Sequence, residues 1–289
     1  MSSLPSLAAD WSVTFILIAT LNFIVGKTGV WSIGHVGFYA LGQMVVGYLV
    51  ISGVCGMKAA FIAALAAASL LSGLIGAATL RLSFDYFIIL SIAAAIFIQA
   101  LAVSLIGPSG ASGLPHLFGG FGLPDSDWTR LGFTLFPAVG LVAVSIYSVS
   151  RSPLDRVLAV VRENGRIAES MGIPSAKLKL QVFMFGSVAA AGCGALAAAY
   201  YGFTDPATTT LYRGILLFAL MLFGGIDSMR GSALGALVLV SVPRILEYAF
   251  QTPMASYYAS QLSQLIFALI MLFTLKFLPA GLIGRRYWG

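Results

Sequence analysis

Of 289 residues, 59% are hydrophobic and only 9% charged, where a soluble domain carries about 25% charged residues, so a water-soluble fold is excluded because its exterior must be solvated. Sixteen basic residues against ten acidic ones give a net charge of +6. They concentrate in one loop and at the C-terminus, which marks cytoplasmic segments of a membrane protein rather than a nucleic-acid surface.

The start, Met1 to Asp10, has no basic n-region, so no cleavable signal is expected and the first apolar run should remain as a span. Uncharged apolar runs fall at about 11–26, 35–55, 59–80, 86–106, 131–150, 180–201, 212–226, 231–250 and 257–278. Roughly 20 apolar residues cross about 30 Å of hydrocarbon, and a lipid-embedded span must satisfy its own backbone, which selects helices. A barrel needs alternating segments of about ten residues, and runs such as 59–80 do not alternate. The expected fold is an all-α integral membrane protein, a polytopic bundle of about 8–9 transmembrane helices with broken helices, forming one domain over 1–289.

Gly26-Lys27-Thr28 imitates the tail of a phosphate-binding loop, but Leu21 stands where its first glycine belongs, so no nucleotide site is expected. Segment 27–42 is interrupted by Gly29, Gly34, Gly37 and Gly42, and segment 212–226 is short and ends in Gly224-Gly225. GVWSIGHVGFYALG and GGIDSMRGSALGA resemble one another. Paired glycine-interrupted spans point to internal repeats meeting at a substrate path; glycines for close helix packing are the alternative. On the first reading Ser32, Gly34, His35, Gln43, Gly225, Ser228 and Gly231 line the path, with exposed backbone groups at half-helix ends able to hold a zwitterion. Asn22, Gln43, Gln99, Gln261 and Gln264 are uncharged polar groups within spans, for which interhelical hydrogen bonds are the default explanation.

The small-residue runs 59–80 and 187–202 permit close helix contact, and Cys55 and Cys193 read as packing residues with no metal spacing. Residues 107–130, rich in glycine and proline, form an external loop rather than a span, and a lid or docking role is expected of it. His116, within it, is expected to be solvated. With His35 and His116 the only histidines, no histidine metal centre is expected.

The loop 151–179 holds Arg151, Arg156, Arg162, Arg166, Lys177 and Lys179 against Asp155, Glu163 and Glu169. Ser152 at the N-cap, Pro153 at N1 and Asp155 at N3 suggest a capping box, and Gly172 before Ile173-Pro174 suggests a left-handed stop. Leu154, Val157, Leu158, Val161, Ala168 and Met171 recur at helical spacing, so one helix over 153–171 is predicted, too charged to cross. It rests on lipid or inserts in a groove on another protein; its mixture of acidic and basic residues favours the protein. If all nine runs cross and this loop is cytoplasmic, the N-terminus is external and the C-terminus, with Lys276, Arg285 and Arg286, is cytoplasmic.

RENGRIAESMGI resembles the coupling-helix segment of LIV-type ABC permeases, the branched-chain amino-acid family, M-type subunit. LNFIVGKTGVWSIGHVGFYALG (21–42), FDYFIILSIA (84–93), FGGIDSMRGSALGA (223–236) and FLPAGLIG (277–284) fit in the same order, so the resemblance spans nearly the whole chain. The chain departs from it at Gln43, Asp227 and Arg230. The resemblance implies a permease in a bacterial inner membrane, working with a second permease, two cytoplasmic ATPase subunits that bind the ATP, and an extracytoplasmic solute-binding protein. It has no cofactor and no catalytic residue of its own. Arg156, Arg162, Glu163, Asn164, Glu169 and Gly172 are the expected coupling residues. The implied cargo is branched-chain or other amino acids, with urea or short amides as the alternative. An ion-coupled carrier needs a buried charge within the bundle, which the spans nearly lack, and no paired acids or nucleophile suggest an intramembrane enzyme.

Overall fold

The computed structural model describes residues 4–79, 84–117, 126–249, 253–277 and 281–283. Arg81, Arg285, Arg286, the loop positions 118–125 and half of the 277–284 motif lie outside them. Nine helices match the nine apolar runs in order: α1 (Leu4–Thr28), α2 (His35–Ile51), α3 (Met57–Thr79), α4 (Phe84–Ile106), α5 (Asp127–Arg151), α8 (Ser175–Tyr201), α9 (Leu211–Gly224), α10 (Met229–Ala249) and α11 (Pro253–Phe277). Between α5 and α8 lie two short helices, α6 (Pro153–Glu163) and α7 (Gly165–Ser170). Among the described residues six helices are long and apolar enough to cross a membrane; α2, α9 and the Gln261–Thr274 stretch of α11 are shorter apolar helices. Both interrupted runs yield short helices.

Contacts at the helix ends define two faces. On one, Lys27 near the end of α1 meets Asp155 of α6, and Glu169 of α7 accepts a hydrogen bond from Ser175 at the start of α8. On the other, Asp10 of α1 meets Tyr201 at the end of α8 and Arg244 of α10. Strand β1 (Ala111–Ser112), after α4, pairs there antiparallel with β2 (Phe203–Thr204), after α8. The described part of the 107–130 loop is therefore tied down. His116 belongs to this tie, its Nδ1 2.9 Å from the Ala199 carbonyl, which corrects the expectation of a solvated side chain. The loop is also shorter than expected, because Ser126 caps α5 by accepting from the Thr129 amide at 3.2 Å.

Helices α1 and α8 form the centre: 83% and 78% of their apolar stretches are buried inside the protein, against 22–28% for α3, α4, α5 and α10. Centrality follows from composition. Leu, Ile and Val surround α1 on all sides, as a helix buried in a bundle requires, and the AAAGCGALAAA run of α8 lets neighbours approach. A Cβ on Gly194 would overlap the Tyr39 carbonyl, and one on Gly42 the Ala191 carbonyl, so α2 and α8 cross with backbone against backbone. Gly194→Leu is expected to cost about 1–3 kcal/mol or more through overpacking, read as a lowered Tm in detergent. Gly132→Leu, which meets open space, should leave Tm unchanged.

Candidate functional site

The first interruption, residues 29–34, ends α1 and lets α2 begin beside Thr20, about 12 Å short of the α1 terminus at 1.5 Å per residue. His35 is buried, with Nε2 2.9 Å from Thr20 Oγ1. Thr20 Oγ1 also lies within hydrogen-bond distance of the Ile16 carbonyl, at 2.8 Å. Neither His35 Nδ1 nor the buried Ser32 Oγ has a hydrogen-bond partner among the described residues. Gly34 donates to Ser91 Oγ at 3.3 Å, and a Cβ there would strike the Ser91 carbonyl. Gly34 is thus a packing glycine.

The second interruption, residues 225–228, separates α9 from α10. Gly225 has φ 111°, and Asp227 is the one described non-glycine residue with positive φ, at 59°, a conformation that Asp tolerates better than most residues. Ser228 Oγ accepts from the Gly231 amide at 3.1 Å, which makes it the N-cap of α10. Gly231 and Gly224 face each other so closely that a Cβ on either would overlap the other's backbone. The buried Asn22 of α1 holds this loop: its Nδ2 donates toward the carbonyls of Gly225 (3.0 Å) and Ser228 (3.1 Å) and Ser232 Oγ (2.9 Å), while its Oδ1 accepts from the Asp227 amide at 2.7 Å. Ser228 also lines a cavity of about 280 Å³ between α1, α5 and α10, with Arg151 and Asp227.

Thr20 and Asn22 are two residues apart on α1 and so point about 200° apart around it. The two interruptions therefore flank α1 on opposite sides at one level instead of facing each other. Gln43 lies away from both, donating to the Tyr39 hydroxyl at 2.9 Å one turn back. Gln261 and Gln264 are exposed on α11 and, unlike Asn22, are not turned into the bundle.

The charged segment is two helices. Asn164 adopts φ −154°, ψ 100°, which ends α6, and its Oδ1 caps α7 by accepting from the Arg166 and Ile167 amides. The predicted single helix over 153–171 failed here because an Asn side chain competes for backbone amides and a glycine follows it. Lys177 and Lys179 belong to α8 and Arg151 to α5, so the connecting segment is 152–174. The capping box is not formed: Ser152 Oγ donates to the Val149 carbonyl instead. The C-terminal stop is as read. Gly172 has φ 81°, its amide bonds the Glu169 carbonyl, and the Ile173 amide bonds the Ala168 carbonyl, a Schellman closure. Leu158, Val161 and Ala168 face the bundle, whereas Leu154, Ile167 and Met171 are 50–67% exposed beside exposed Arg156, Glu163, Arg166 and Glu169.

Sequence reading missed the joint between this segment and the bundle. Lys27, 4% exposed, places Nζ 2.5 Å from Asp155 Oδ1 on α6 and 2.7 Å from Asp227 Oδ1 in the second interruption. Arg162 reaches the same end of α1, donating to the Gly26 carbonyl at 2.6 Å. Gly26 packs directly on Asp227. One buried ammonium thus bridges the surface helix, the central helix and the unwound loop.

Comparison with known proteins agrees with this architecture. The family described as the permease component of branched-chain amino acid transport systems matches residues 5–275. The chain is 28% identical over 258 residues to LivM, a high-affinity branched-chain amino acid transport permease of Escherichia coli K12, covering 79% of this chain and 60% of LivM. It thus spans about three-fifths of that relative. It is 25% identical over 300 residues to the corresponding permease BraD of Pseudomonas aeruginosa, covering 98% of this chain and 92% of BraD. PsaBC from Streptococcus pneumoniae, solved in complex with Fab, has the same fold at TM-score 0.52 and 13% identity, covering 95% of this chain and 91% of that one. The chain is a multi-pass membrane protein that belongs to the family of branched-chain amino acid transport permeases.

Proposed function

We propose that this chain is a single-domain permease of an ATP-driven importer for branched-chain or other amino acids, placed in a bacterial inner membrane with α6, α7 and the C-terminus on the cytoplasmic side. Two ATPase subunits dock on the α6–α7 face, a second permease completes the pathway, and an extracytoplasmic protein delivers the solute. The observation that carries this reading is the joint at Lys27: a segment exposing both apolar and charged side chains is bonded to both the central helix and an unwound loop between two spans. Movement of such a segment displaces the loop, which is the rigid-body rocking that alternating access requires. Ile167, Met171, Arg156, Glu163 and Arg166 form the contact surface. Arg162, engaged with Gly26, transmits rather than docks.

The test is uptake of radiolabelled leucine by proteoliposomes holding the complete complex. Uptake is expected to need ATP and the ATPase subunits and to persist when ion gradients are collapsed. Uptake that follows the ion gradient, or continues without ATPase subunits, overturns the reading.

A further inference from the structure

Helix α10 is held to α1 differently at its two ends. At its start, Asn22 is bonded to Gly225, Asp227, Ser228 and Ser232, and Lys27 meets Asp227. Toward the face opposite α6, Arg244 Nη2 donates to Asp10 Oδ2 at 2.9 Å, with the two side chains 39% and 33% exposed. An ion pair this exposed adds little to stability. Packing does not weld the helices there either, because a cavity of about 550 Å³ lies between α1, α9, α10 and α11, lined by Asp10, Leu239, Pro243 and Arg244. Pro243 stands inside α10 and cannot donate to the Leu239 carbonyl one turn back, so the segment that carries Arg244 follows a natural bending point. One end of α10 is bolted and the other is latched.

Asp10 has a second cation beside it. Arg213, in the first turn of α9, lines the same cavity and, again with Asp10, an adjoining one of about 150 Å³. It is half-buried and makes no hydrogen bond or ion pair to a described residue. Asp205 also lines the smaller cavity but is itself engaged. Of the Asp10 oxygens, Oδ1 accepts from the Tyr201 hydroxyl of α8 at 2.5 Å and Oδ2 from Arg244. Tyr201 thus holds the carboxylate in place, and Arg213 gains a charge-assisted bond when Arg244 leaves. Because one such bond replaces another, the two arrangements lie close in free energy, as a two-state element requires.

We infer that Asp10 is the pivot of a latch on the face opposite α6, exchanging Arg244 for Arg213 as the end of α10 beyond Pro243 parts from α1. The latch rests on the importer reading, in which that parting opens the pathway away from the ATPase subunits.

The experiment measures, by double electron–electron resonance, the distance between spin labels at Leu4→Cys on α1 and Tyr248→Cys on α10, both exposed positions. The complete permease–ATPase complex is held in nanodiscs, with Cys55→Ala; Cys193 is buried. Two distances are expected, their ratio changing when a non-hydrolysable ATP analogue binds. Arg244→Gln should move the ratio about fivefold toward the longer distance and Arg213→Gln about fivefold toward the shorter, the effect of one solvent-accessible ion pair. In an Asp10→Asn background neither substitution should move the ratio further. Arginines that merely tie the fold together would not act in opposite directions. Should a glutamine variant fail to assemble, Arg244→Lys and Arg213→Lys, which keep the charge and lose the fork of donors, should give the same opposed signs at smaller size. One unchanged distance across all variants, or shifts of the same sign, overturns the latch. Intact ATP-dependent uptake with that result removes the latch and spares the importer reading; opposed shifts without ATP-dependent uptake do the reverse.

Discussion

Lys27→Met is expected to abolish ATP-driven uptake and to lower the stability of the isolated permease. The substitution keeps the side-chain length but removes the ammonium between Asp155 and Asp227, whose side chains are only 25% and 10% exposed. Two nearby carboxylates would then share a poorly solvated site, and losing one partner of a buried ion pair costs about 3–5 kcal/mol. That cost is read as a lower Tm in detergent. Stability and transmission are separated by the triple variant Lys27→Met, Asp155→Asn, Asp227→Asn. Neutral amides in place of the carboxylates remove the repulsion, so Tm should recover, while uptake should stay at least about tenfold below wild type because the charge-assisted link between α6 and the second interruption is gone. Wild-type uptake in the triple variant would reduce the joint to a structural tie.

Hydropathy alone located the nine apolar helices, because roughly 20 residues are needed to cross the hydrocarbon and nothing else in this sequence is so uniformly apolar. The glycine-interrupted runs were also legible, since glycine is favoured where Gly29 and Gly225 take positive φ. The joint was not. Asp155 and Asp227 lie 128 and 200 residues from Lys27, and no local pattern connects them; Lys27 read as part of a false phosphate loop and Asp227 only as a departure from the family. Arg162 read as a docking charge because helical spacing does not tell which side of a surface helix meets its own protein. The same ambiguity merged inward Leu158, Val161 and Ala168 with outward Leu154 and Met171 into one stripe. Asp10 and Arg244 escaped notice for a related reason: a lone charge toward a helix end is ordinary, and only the fold brings the two together.

The outward side chains of α6 and α7 give the second large effect. Ile167 and Met171 are 54% and 67% exposed, and side chains so placed contribute little to the permease core. Burying each in a partner's groove is worth about 1.5–3 kcal/mol at full transfer, so even half of that for the pair amounts to about 2 kcal/mol, or roughly thirtyfold in affinity. Ile167→Asp with Met171→Ser is therefore expected to prevent copurification of the ATPase subunits and to reduce solute-stimulated ATP hydrolysis to its basal rate. Asp at 167 falls in the first turn of α7, where a negative charge favours the helix, and Ser at 171 leaves the backbone closure through Gly172 in place. The Tm of the isolated permease should not change, in contrast to Lys27→Met. Stoichiometric copurification with normal stimulation in the double variant would show that the ATPase contacts some other part of the α6 face, and a drop in Tm would show that these side chains serve the bundle itself.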